Sequence, residues 1–119
     1  MKNKIYFLSS CSTCKRIMEE VKIDEYNFDL QDIKKNNIDE KELELIYKQT
    51  NSYEAIFNKR AQKYKLLGLK NIIQTDQEYK KYIIEEYTFL KRPVFLINGV
   101  YYIGNSKKVV EEIKLALAK

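Results

Sequence analysis

The chain has 119 residues, 45% of them apolar and 33% charged, which suits one globular domain and excludes a disordered or fibrous chain. The net charge of +5 comes from 22 basic residues scattered among 17 acidic ones, so the expected surface is mixed and solvated, with no nucleic-acid or membrane partner. The absence of histidine removes the commonest general base and metal ligand, leaving thiols, carboxylates, lysine, arginine and tyrosine to carry any chemistry.

In chain order, the basic start Met1-Lys2-Asn3-Lys4 is followed by Ile5 to Leu8, an apolar run too short for a signal-peptide core. No run approaches the roughly 20 apolar residues of a membrane span. The expected location is the cytoplasm, and two cysteines three positions apart are a poor framework for a secreted fold. Ile5 to Leu8 predicts a strand, and Ile17, Met18 and Val21 predict a helix after Cys11. Tyr26, Phe28 and Leu30 alternate with Asn27 and Asp29, predicting a second strand over 26–30. Strand–helix–strand implies a parallel pair with the helix on one face.

A helical middle follows. Asp39 with Glu42 forms a capping-box pattern, and Leu43, Ile46 and Tyr47 share one helical face. Residues 53–67 read as a broken helical segment ending near Gly68, and Thr75 or Asp76 caps a helix carrying Tyr79, Ile83 and Tyr87. Val94 to Ile97 and Val100 to Ile103 flank Asn98-Gly99, a strong hairpin signal because both turn residues must take positive φ. Gly104-Asn105-Ser106 leads into a last helix with Val109, Val110, Ile113 and Leu117 on its buried side. The expectation is an α/β fold: one domain over 1–119, a four-stranded mixed sheet flanked by helices, with a helical insertion at about 33–88.

The chemistry-bearing motif is Cys11-Ser12-Thr13-Cys14, between the first strand and first helix. Unpartnered N–H groups at a helix start, with the helix dipole, stabilise a thiolate there and lower its pKa. Lys15 and Arg16 add positive potential one turn on. Cys14, one turn along, faces inward and can resolve a mixed disulfide formed at Cys11. The rival reading is half a zinc site, but a structural zinc site needs four ligands and the chain has no other cysteine or histidine. No metal site is expected. Pro93, the sole proline, follows Arg92 just before the hairpin; from pattern alone it ends a helix and starts a strand. Arg60 and Arg92 each read alone as surface arginines, although two guanidiniums converging on a thiolate would make an oxyanion or glutathione-carboxylate site.

Four groups of residues, in order, resemble the ArsC/Spx family, the arsenate-reductase-related branch of the thioredoxin-like fold, including its YffB-like members. They are Ile5-Tyr6-Phe7 leading to Cys11-Ser12-Thr13-Cys14-Lys15; Asn58-Lys59-Arg60 followed by Leu66-Leu67-Gly68; Phe89-Leu90-Lys91-Arg92-Pro93-Val94; and Tyr102-Ile103-Gly104. The resemblance implies a thioredoxin-like fold, Cys11 as nucleophile, and Arg92 in an anion site. It implies a cis Pro93 facing the cysteine tip, with backbone exposed for pairing with substrate. Arg60 matches the Spx-like and YffB-like arginine, and Ser12, Thr13 and Lys15 complete the substrate-binding set.

Three departures stand out. The glutaredoxin-coupled arsenate reductases place an arginine near Asn58, carry a third where this chain has Gly104, and usually have a small polar residue in place of Cys14. These departures favour a disulfide reductase or a Spx-like redox switch over a dedicated arsenate reductase. The expected function is a thiol-dependent reductase of arsenate or a disulfide, a monomer without bound cofactor, re-reduced by glutathione/glutaredoxin or thioredoxin. The alternative is a Spx-like regulator binding RNA polymerase; the end of the chain at Lys119, directly after the last helix, counts against it.

Overall fold

The computed structural model describes residues 2–119. Its elements are β1 (Lys4–Phe7), α1 (Ser12–Glu20), β2 (Asp29–Asp32), α2 (Glu40–Thr50), α3 (Gln62–Leu66), α4 (Leu69–Ile72), α5 (Asp76–Glu85), β3 (Val94–Ile97), β4 (Val100–Ile103) and α6 (Lys107–Leu117), with short 3-10 turns between. The chain gathers into two compact units: residues up to Asn36 together with Arg92–Lys119, and Asn37–Lys91.

The first unit holds a four-stranded mixed sheet in the order β2-β1-β3-β4. β1 and β2 run parallel, as the strand–helix–strand opening requires, and the other pairs are antiparallel. All four residues of β3, a central strand, are buried, which is why it reads as an unbroken apolar run. Cys14, Ile17 and Met18 of α1 and Val110 and Ile113 of α6 pack with Ile5, Phe95 and Ile97 in one cluster, so the two helices share a face of the sheet. Each fully buried isoleucine there contributes about 1.5–3 kcal/mol. Asn98 and Gly99 have φ of 50° and 82°, the geometry the Asn-Gly hairpin demands. Ser106 caps α6 through the Val109 N–H, 3.2 Å away.

β2 departs from expectation. It occupies Asp29–Asp32, three residues later than its alternating pattern begins. Lys22 takes a left-handed φ of 59° and a 3-10 turn follows over Ile23–Glu25, diverting Tyr26 from the sheet and leaving it exposed. Phe28 instead packs edge-on against Phe95, at 5.7 Å between ring centroids. Within this edge strand the buried side chain is Gln31, whose amide donates to the Asn36 carbonyl at 2.7 Å.

The second unit, Asn37–Lys91, is the helical insertion. The expected capping box of Asp39 with Glu42 starts α2, and of the two cap candidates for α5 it is Thr75 that serves, forming a second capping box with Glu78. Leu43, Ile46 and Ile83 are fully buried, but Tyr87 lies beyond α5 in a 3-10 turn. Phe57 centres an aromatic cluster, stacked on Phe89 and edge-on to Tyr64 and Tyr79. The Asp76 carboxylate accepts the N–H groups of Tyr53 and Glu54, at 2.9 and 3.0 Å. Gly68, at φ 63°, separates α3 from α4. Among the described residues no helix is long and apolar enough to cross a membrane.

Candidate active site

β1 ends at Phe7, and a tight turn through Ser9 and Ser10 closes when the Cys11 N–H donates to the Leu8 carbonyl at 3.0 Å. Cys11 is extended (φ −93°, ψ 110°) and is the N-cap of α1, its carbonyl accepting the Lys15 N–H at 3.2 Å. The sulfur therefore sits where the unpartnered amides of the first turn converge, and that turn carries no acidic residue. Cys11 is partly exposed. Cys14, on the inward face of α1, is fully buried, and both thiols are free.

The two sulfurs are set apart in acidity. Partial burial would raise Cys11, but the Cys14 backbone N–H, the Cys14 thiol and the Arg92 guanidinium outweigh it, through hydrogen bonding and, for Arg92, charge attraction. Its pKa falls below the ordinary 9.0. Cys14 is pushed up to about 12, first by burial and then by the negative charge on Cys11, against a lowering hydrogen bond from the Leu8 backbone. Cys11 is therefore the more acidic thiol of the pair, and Cys14 is the one held protonated.

Arg92 and Pro93 belong to the same unit as the cysteines, and the Arg92–Pro93 peptide bond is cis. Pro93 is buried and its carbonyl accepts the Gly104 N–H at 2.9 Å. Ser12 and Lys15 are exposed and Thr13 is half-buried on the first turn of α1. Arg16 turns to Glu20, 3.4 Å away, an exposed ion pair. Arg60 belongs to the second unit, exposed, its backbone N–H held by the Asn58 side-chain oxygen at 3.1 Å.

Sequence reasoning overlooked Asp32, whose carboxylate accepts the Ser9 N–H at 3.3 Å, inside the turn that carries Cys11. No local pattern singles it out; only the parallel register of β1 and β2 brings it there. Among the described residues no group of three or more histidine, cysteine, aspartate or glutamate side chains is placed to hold a metal ion.

A parallel strand–helix–strand opening, a cysteine pair at the start of the helix and a cis proline leading into an antiparallel hairpin define a thioredoxin-like protein. Within that class the chain belongs to the ArsC family, whose pattern matches residues 6–113. Solved structures agree in fold. An arsenate reductase from Vibrio cholerae is 21% identical, covering 95% of this chain and 98% of its own, with a TM-score of 0.78. An ArsC family related protein from Bacteroides fragilis is also 21% identical, covering 95% and 99%, with a TM-score of 0.78. An arsenate reductase (ArsC) related protein from Brucella melitensis is 20% identical, covering 94% and 93%, with a TM-score of 0.70. No curated protein is significantly similar to the chain.

Proposed function

We propose that the protein is a thiol-dependent reductase that uses Cys11 to reduce a disulfide or arsenate. The observation carrying this reading is the opposed acidity of the two thiols: Cys11 lowered beside Arg92, and Cys14 buried and raised to about 12. A partly exposed thiol of lowered pKa next to a protonated reserve thiol is the arrangement a nucleophile and its resolving partner need.

With a disulfide substrate, the Cys11 thiolate attacks one sulfur and the other leaves as a thiolate, giving a mixed disulfide on Cys11. That step removes the negative charge which helps hold Cys14 protonated. Cys14 then loses its proton, attacks the Cys11 sulfur and expels the second substrate thiolate. The substrate gains two electrons and the Cys11–Cys14 pair is oxidised. A thiol of the glutathione or thioredoxin class returns the two electrons. With arsenate, the same thiolate bonds to arsenic as an oxygen leaves as water, and a second thiol attacks the Cys11 sulfur to release arsenite. Arg92 neutralises negative charge at the reacting centre in either case.

Steady-state NADPH consumption tests the proposal. Arsenate and a small disulfide would be offered separately, each coupled to glutathione/glutaredoxin and to thioredoxin/thioredoxin reductase. Turnover that vanishes in Cys11→Ser is expected with at least one combination. Turnover undiminished in Cys11→Ser, or none under any coupling, would contradict it, and the second result would turn attention to a redox-sensing partner-binding role.

A further inference from the structure

Asp32 closes β2 directly opposite Phe7, the last residue of β1. Because the strands run parallel, the chain leaving β1 toward Cys11 passes beside the Asp32 carboxylate. Two donors from Ser9 reach it: the backbone N–H, 3.3 Å from Oδ1, and the hydroxyl. The Lys34 N–H also donates to Oδ1, at 3.2 Å. Asp32 is fixed in turn by its backbone, since its carbonyl accepts the N–H groups of Lys35 and Asn36, both at 3.0 Å, and the Ile33 N–H donates to the Phe7 carbonyl at 2.9 Å. The turn from Leu8 to Cys11 is closed at its ends by one backbone hydrogen bond, and Ser9 sits in its middle. Asp32 ties that middle to the edge of the sheet.

We propose that Asp32 is a positioning residue for Cys11: by holding Ser9 it keeps the cysteine turn where the Cys11 sulfur meets the Cys14 amide and Arg92. The inference rests on the reading of Cys11 as the reactive thiolate, and it assigns that site a support outside the cysteine motif. Asp32 does not touch substrate in this role. In this role its charge and its hydrogen bonding would act on Cys11 in opposite directions, which makes the role separable. A nearby negative charge disfavours a thiolate, so losing the charge alone would make Cys11 more reactive. Losing the tether releases the sulfur from the groups that lower its pKa and makes it less reactive. Lys34 and Lys35 are the other charged side chains of this turn, and substituting Asp32 leaves both in place.

The test is the rate of iodoacetamide alkylation at Cys11 against pH, with thermal unfolding followed on the same samples. Asp32→Ala should alkylate about three- to tenfold more slowly than wild type at pH below the ordinary thiol range. Asp32→Asn keeps an acceptor oxygen for Ser9 and should alkylate at least as fast as wild type. Ser9→Ala should slow alkylation less than Asp32→Ala, and the double variant should be less than additive because both act through one contact. If Asp32→Ala cannot be purified folded, the contrast between Asp32→Asn and Ser9→Ala decides. Faster alkylation in Asp32→Ala, an unchanged profile with only a lower melting temperature, or Ser9→Ala matching Asp32→Asn would overturn the proposal. A wild-type Cys11 that titrates at or above a free thiol would overturn the nucleophile reading itself, and this proposal with it.

Discussion

At the scale of single residues, chemistry depends on how burial, Arg92, the Leu8 backbone and the two cysteines' effect on each other divide the acidity of two sulfurs. Arg92 supplies both a hydrogen bond and charge attraction to Cys11. Arg92→Gln should therefore slow Cys11 alkylation by about tenfold at pH below the ordinary thiol range, with Arg92→Lys between it and wild type. Cys14 gives a prediction on stability. Folded, it holds its proton to about 12; unfolded, it releases it near the ordinary 9.0. Between those values the unfolded chain binds fewer protons, so the Cys14 contribution is fully present below 9.0 and is lost as pH rises toward 12. Cys11 runs the other way: its contribution is present above 9.0 and is lost as pH falls through its lowered folded value. Urea unfolding from pH 8 to 11 should show a shallower loss of stability in Cys14→Ser than in wild type, and equal slopes would refute the assignment.

At the scale of elements, the helix starts and the hairpin turn carry most of the local instruction. Thr75→Ala removes a capping-box oxygen from the Glu78 N–H and should cost about 1 kcal/mol in urea unfolding. Gly99→Ala introduces a Cβ into open space at φ 82°, so its cost is conformational, about 1–2 kcal/mol. Phe57→Ala removes the centre of the aromatic cluster in the second unit and should cost about 3–5 kcal/mol. These same elements were the legible ones. Asp39, Thr75, Ser106 and Asn98-Gly99 announce their geometry through side chains that satisfy a specific backbone need. β2 does not. Its residues Asp29, Leu30, Gln31 and Asp32 alternate the wrong way for an apolar face, because an edge strand can bury an amide bonded to its own turn. The better alternation just upstream misleads, since Tyr26 and Phe28 belong to the loop that packs against the sheet.

At the scale of the whole molecule, the site draws on residues far apart in sequence: Cys11 and Cys14 from the first crossover, Asp32 from the edge strand, and Arg92, which follows the helical insertion in the chain. The cysteine pair was legible because it carries its chemistry in its own letters, whereas Arg92 and the cis Pro93 were expected only through the family resemblance. Asp32 was not legible, because its role depends on strand register, which no short motif encodes. The inward face of Cys14 was legible from helix geometry, since a residue three positions past the N-cap points back to the core. Cys11 is the more acidic, reactive thiol of the pair and Cys14 its protonated partner. The most direct measurement is alkylation of the reduced protein with iodoacetamide across pH 5 to 10, with the modified cysteine identified by peptide mass spectrometry. Cys11 alone should be modified around pH 7, with a midpoint below the ordinary thiol value. Modification of Cys14 at the same rate, or a Cys11 midpoint at or above that of a free thiol, would contradict it.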